Sequence, residues 1–181
     1  MLRLERNLEL KHFKTFLSNQ TELEKLHLVV AHGEPDEEEH MLAVTLLFII
    51  LRLCRKLKKL YFHSFCADCD VGIQFSAEDL GEFLSLTSEM ESVTIICGCG
   101  IVLDDAFSVD SLSMPSIEYT RLKHLELRNG IDERFVMEIL NRCPVPLKSL
   151  SLNPVTDRIM RKIFKSQVRK IVDLNFSDDS K

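Results

Sequence analysis

The chain lacks the features that most quickly betray a chemistry. It has no glycine-rich phosphate loop, no H-E-x-x-H pair and no nucleophile elbow, so the common signatures of nucleotide, zinc-protease and hydrolase sites are missing. It has no long apolar run. The longest uncharged, mainly apolar stretch is 41–51, which at 11 residues falls short of a bilayer span. Positive charge is not in excess. The net charge of -5 gives no general reason to expect a nucleic acid or an anionic membrane as partner. No low-complexity linker divides the 181 residues, which read as a single domain, 1–181. The opening MLRLERNLELK has no long apolar core, and the 6 cysteines stand at irregular positions. Together these predict an intracellular, cytoplasmic or nuclear setting in which cysteine serves as a small hydrophobe.

What is present is a repeated phrase, L-x-x-L-x-L or a close variant. It reads Leu23-x-x-Leu26-x-Leu28, Leu57-x-x-Leu60-x-Phe62, Met90-x-x-Val93-x-Ile95, Leu122-x-x-Leu125-x-Leu127, Leu147-x-x-Leu150-x-Leu152 and Ile171-x-x-Leu174-x-Phe176. The intervals between first positions are 34, 33, 32, 25 and 24 residues. Self-similarity at such a period predicts a stacked repeat architecture. Within most phrases apolar and polar residues alternate, as in Lys59-Leu60-Tyr61-Phe62. That is the period of a strand with one covered face. VTIIC at 93–97 is the exception.

Helical spacing precedes most phrases. Leu10, Phe13, Phe16 and Leu17 share one face, as do Leu42, Leu46, Ile49, Ile50 and Leu53. Leu80, Phe83 and Leu84, then Phe135, Ile139 and Leu140, then Ile159, Ile163 and Phe164 repeat the pattern. Ser76-Ala-Glu-Asp79 has the form of a capping box, Thr156 and Asp157 can cap the last helix, and Asp36 followed by three Glu suits a helix start. Residues 104–120 show little helical periodicity and predict a loop or one short helical turn. A doubly wound sheet would carry continuous apolar strands. The alternation instead predicts helices on one side only.

The phrase and its spacing resemble the leucine-rich repeat proteins across nearly the whole chain. The unit is similar to the ribonuclease-inhibitor and F-box types. Asn141-Arg-Cys143-Pro144 leading into Leu147, and Leu53-Cys54 leading into Leu57, resemble the helix ends of F-box substrate receptors, although NOD-like receptors carry similar phrases. The resemblance implies an α/β solenoid of about six to seven repeats, with a concave parallel sheet and helices on the convex side. It implies protein binding without catalysis or cofactor, with substrate recognition for a ubiquitin ligase as the sharper expectation. A general scaffold or sensor is the alternative. No F-box helix set lies in the chain, so ligase subunits would attach through regions outside it. The family's turn Asn or Cys is absent. Those places hold Ala31, Phe65, Gly98, Gly130, Val155 and Asp179. Leu2-x-Leu4-x-x-Asn7 matches the second half of the phrase, and the chain stops after the last strand, which predicts a fragment or a partner-capped array.

The outward strand positions define the candidate site. Lys25, His27, Lys59, Tyr61, His63, Thr94, His124, Glu126 and Arg128 would lie on the concave face, basic and aromatic at the N-terminal end and joined by small polar residues such as Ser149 and Ser151. Tyr and Arg are favoured interface anchors. None of the three histidines has an obvious nucleophile beside it. Cys66-Ala-Asp-Cys69 and Cys97-Gly-Cys99 follow neighbouring strands, and four thiolates there, with His63 in reserve, would suit zinc. Their spacing is unlike paired zinc knuckles, so the favoured reading is thiols filling loop interiors, with no metal. The basic run Arg55, Lys56, Lys58, Lys59 and the basic last helix suit phosphates, but no aromatic platform accompanies them.

Overall fold

The computed structural model describes residues 2–4, 10–31, 37–65, 73–98, 100–104, 117–153, 155–165 and 173–176. Nine strands and five helices alternate along these segments. The strands are β1 (Leu2–Leu4), β2 (Lys25–Ala31), β3 (Lys59–Phe65), β4 (Ile73–Phe75), β5 (Ser92–Cys97), β6 (Ile101–Leu103), β7 (His124–Arg128), β8 (Ser149–Leu152) and β9 (Asp173–Phe176). The helices are α1 (Leu10–Ser18), α2 (Glu37–Leu53), α3 (Ala77–Thr87), α4 (Glu133–Asn141) and α5 (Asp157–Lys165).

Seven strands form one parallel sheet in the order β1-β2-β3-β5-β7-β8-β9. Their order in space is their order in the chain. Each repeated phrase supplies one strand, and the fragmentary phrase at Leu2 supplies the first. The register stacks equivalent positions, with Leu28 beside Phe62, Ile95, Leu127, Leu152 and Phe176 in turn. Side chains of that row described at Leu28, Phe62, Ile95, Leu127 and Leu152 are buried. They join one core with Phe13 and Leu17 of α1, Leu46 to Leu51 of α2, Leu80, Phe83 and Leu84 of α3, Phe135 and Ile139 of α4, and Ile159 and Ile163 of α5. All five helices therefore contribute to the core on one face of the sheet. Burial of this apolar area is the main favourable term in folding.

Local signals place the helices. Ser76 accepts from the Asp79 backbone N–H at 3.1 Å while Asp79 Oδ2 accepts from Ser76 N at 3.0 Å, completing the capping box. Thr156 Oγ1 accepts from Ile159 N at 3.2 Å. Leu46 to Leu51 are all buried because α2 packs between α1 and α3 and also meets β4. Phe16 departs from the expected inward face and is 49% exposed. Phe13 and Leu17, one turn apart, take the buried side of α1, and Phe16 falls on its flank.

A second, two-stranded sheet pairs β4 with β6. It meets α2, α3 and α4. Phe75 ties it to the core, with its ring 5.7 Å from Phe48 and 5.8 Å from Phe135. Asp132 fastens the same region. Its carboxylate accepts from the backbone N–H of Arg134, as the α4 cap, and from that of Leu103 in β6. Burial raises the Asp132 pKa, but the Arg134 guanidinium and these two N–H groups outweigh it and hold the carboxyl below its usual range. Gly100 and Gly130 meet where β5 and β7 end. Both have positive φ, and a Cβ on Gly100 would stand 2.7 Å from the Gly130 oxygen.

The expected loop at 104–120 lies largely outside the described residues. Of its described part, Tyr119 is fully buried, with its hydroxyl 2.5 Å from Thr87 Oγ1. A tyrosine outside any helix or strand thus packs against the end of α3.

Candidate functional site

Among the described residues, the sheet face opposite the helices is open. Its described side chains are exposed or half-buried, except Thr94 at 9% exposure. Three rows cross it. Lys25, Lys59, Ser92, His124, Ser149 and Asp173 stand in register at the strand starts. Next come His27, Tyr61, Thr94, Glu126, Ser151 and Asn175. Val29, His63, Ile96 and Arg128 form the third. All nine expected site residues fall in these rows.

The rows divide into two chemistries. On β2 and β3, rings stand between Lys25, Lys59 and Val29. The His27 and Tyr61 rings lie 4.0 Å apart, Tyr61 and His63 6.4 Å, and His63 and Phe65 6.2 Å. Phe65 extends the strip and is 54% exposed. It was missed as a site residue because the phrase was followed only to His63; two further residues of the same alternation reach it. Partial burial pushes the His63 pKa down, and the nearby His27 pushes it the same way. His63 therefore favours the neutral imidazole.

On β5, β7 and β8 the side chains are mostly polar, with Ile96 the exception, and several are hydrogen-bonded to one another. Arg128 Nε lies 2.8 Å from Glu126 Oε1, and an Arg128 Nη donates to Ser151 Oγ at 3.2 Å. Thr94 Oγ1 donates to Glu126 Oε2 at 3.4 Å. These groups line a shallow depression of about 200 Å³. At its edge His124 Nδ1 stands 2.7 Å from Ser149 Oγ. This corrects the reading that no nucleophile adjoins a histidine. Adjacent strands hold the two in register. Desolvation, then Lys148, Lys59 and Lys123, pushes the His124 pKa down. Among the described residues no carboxylate hydrogen-bonds its ring, the contact that orients the histidine in a catalytic triad.

The chain entering β3, β5, β7 and β8 repeats one bonding scheme. Lys58 N and Lys59 N both donate to Glu24 O, Glu91 N and Ser92 N to Lys58 O, Lys123 N and His124 N to Glu91 O, and Lys148 N and Ser149 N to Lys123 O. Side chains echo it. Lys56 pairs with Glu22 at 2.7 Å, Lys58 with Glu24 at 2.5 Å, Arg121 with Glu89 at 3.6 Å and Lys123 with Glu91 at 3.0 Å. These pairs are exposed and add little stability singly.

Of the four cysteines weighed for zinc, Cys66, Cys69 and Cys99 lie outside the described residues. Cys97 is buried in the core and its thiol donates to Gly100 O at 3.5 Å. Among the described residues no group of three or more His, Cys, Asp or Glu is placed to hold a metal ion. Likewise, no helix among them is long and apolar enough to cross a membrane. Comparisons with family models, with curated proteins and with solved structures found no match.

Proposed function

We propose that the chain is a protein-binding module of the leucine-rich repeat type, which recognises its partner on the open sheet face and does no chemistry itself. The observation that carries this reading is the second row, where His27, Tyr61, Thr94 and Glu126 stand in register on the face that no helix among the described residues covers. An open sheet backed by helices offers a rigid, broad surface, and repeat proteins bind across such surfaces. Tyr61 is the favoured anchor, because an aromatic ring with a polar tip gives large contact area at low entropic cost. The recurring bonds at the strand entries support stacked solenoid units.

Within this proposal, the Asn141-Arg-Cys143-Pro144 phrase supports a substrate receptor of the F-box type, with ligase subunits attached elsewhere. A general scaffold or sensor would use the same face. An intracellular setting, cytoplasmic or nuclear, accompanies either, and the buried Cys54, Cys97 and Cys143 suit it. Affinity capture with quantitative mass spectrometry tests the reading, comparing the native chain with a folded Lys59→Glu, Tyr61→Ala, His63→Ala variant. Partners lost from the variant are expected, and ligase subunits among them would favour the F-box type. An unchanged partner list would refute the open face as the site.

A further inference from the structure

The strand-entry edge of the open face carries a charge pattern that the aromatic strip does not explain. Lys25 and Lys59 are directly in register on adjacent strands, where like charges repel. Both are exposed, and neither joins an ion pair among the described residues. Beside them the segments entering β3, β7 and β8 bring Lys58, Arg121, Lys123 and Lys148 to the same edge. There they flank a groove of about 490 Å³, walled also by Glu91 and the exposed Val145. The lowered pKa of His124 reports the same field, since Lys148, Lys59 and Lys123 all act on it after desolvation. The carboxylates here, Glu24, Glu89 and Glu91, each already hold one cation. Asp173 stands at the far end of the row, beyond Ser149. Thus Lys25, Lys59 and Lys148 are left to attract an anion, on a chain whose net charge is -5.

We propose that this edge binds a short acidic segment of the partner protein, rich in Asp and Glu, laid across the starts of β2, β3, β5, β7 and β8. The inference rests on the open-face reading above and names the chemistry of the partner. From β2 to β8 are four strand spacings, or about 19 Å at roughly 4.8 Å each. About six residues of extended peptide cover that distance. Carboxylates on such a segment would meet Lys25 and Lys59 at one end and Lys148 at the other. An apolar side chain among them would reach Tyr61 or Val145. A nucleic-acid duplex fits less well, because its dense phosphate track continues past so short an edge onto an acidic chain.

The probe is a fluorescent peptide of about eight alternating Asp and Glu residues, long enough to span the edge, read by anisotropy with the full chain. Binding is expected at low salt, weakening as ionic strength rises. Lys25→Glu with Lys59→Glu should reduce affinity by about tenfold or more. Lys11→Glu with Lys14→Glu, on exposed positions of α1, should leave it within about twofold, since distant exposed charges are screened. Lys148→Glu alone is the second variant should the double substitution fail to fold, with a loss of the same sign expected. No binding by the native chain, equal loss in the α1 control, or tighter binding of a short DNA duplex than of the peptide would overturn the proposal. If the peptide fails while a Tyr61→Ala variant still loses its partners, the open-face reading stands and only the acidic segment falls. If partner capture is indifferent to Tyr61 as well, both fall.

Discussion

The two faces of the main sheet are built from the same strands, in the same register, one residue apart. On the covered face the row runs Leu28, Phe62, Ile95, Leu127, Leu152; on the open face it runs His27, Tyr61, Thr94, Glu126, Ser151. The covered row is chemically uniform because every strand meets the same demand, a helix packed at core density. The open row differs at every position because no packing partner constrains it. Uniformity marks the part of the chain that holds the fold, and variety marks the part free to carry recognition. The contrast also explains why exposed rings at His27 and Phe65, and half-buried ones at Tyr61 and His63, can persist beside a core that needs no help from them.

The sharpest way to break this contrast is to truncate one aromatic on each face. Phe135 is fully buried, with rings of Phe83 and Phe75 at 5.2 and 5.8 Å. Phe135→Ala should cost about 3–5 kcal/mol in chemical denaturation. Tyr61→Ala should cost under about 1 kcal/mol in the same assay, yet weaken partner binding by about tenfold or more. Equal stability losses would mean that the open face is covered in solution.

A smaller effect is expected at Asp132, which joins α4 to the second sheet. Asp132→Ala removes a cap and should cost about 1–2 kcal/mol. Its folded pKa is depressed, so its contribution is present above the ordinary value of 3.8 and is lost as pH falls through the window below it. Acid denaturation of the native chain and the variant should therefore converge at low pH. The smallest effect belongs to the open face. The His63 and His124 pKa values are lowered from 6.5, so folding favours the neutral rings. Stability should be full above pH 6.5 and decline as pH falls through that value toward the depressed ones. A His63→Gln, His124→Gln variant should show a flatter profile between pH 7 and 5.

Much of this was legible in the sequence because strand alternation has a period of two and the phrase fixes its phase. The seven strands, their inward row and the outward triplets follow from that alone, as does the α3 cap from Ser76 and Asp79. The second sheet was not legible. Ile73–Phe75 and Ile101–Leu103 are three-residue strands, too short for a periodic signal. Aligning the phrases already sets Ser149 one strand from His124, but the contact depends on rotamers that spacing does not encode. Phe16 shows the reverse error, since helical spacing marks a face but not which flank its neighbours reach. The role of Tyr119 was hidden for want of any helix pattern around it.

Site-specific photo-crosslinking most directly tests whether the open face is the binding surface. One chain would carry a photoreactive side chain at Tyr61, another at Ser85, which is exposed on α3. Irradiation with the captured partner present should yield a crosslinked complex from position 61 and none from position 85. Crosslinking from 85 alone would place recognition on the helical side and contradict the division of labour between the two faces.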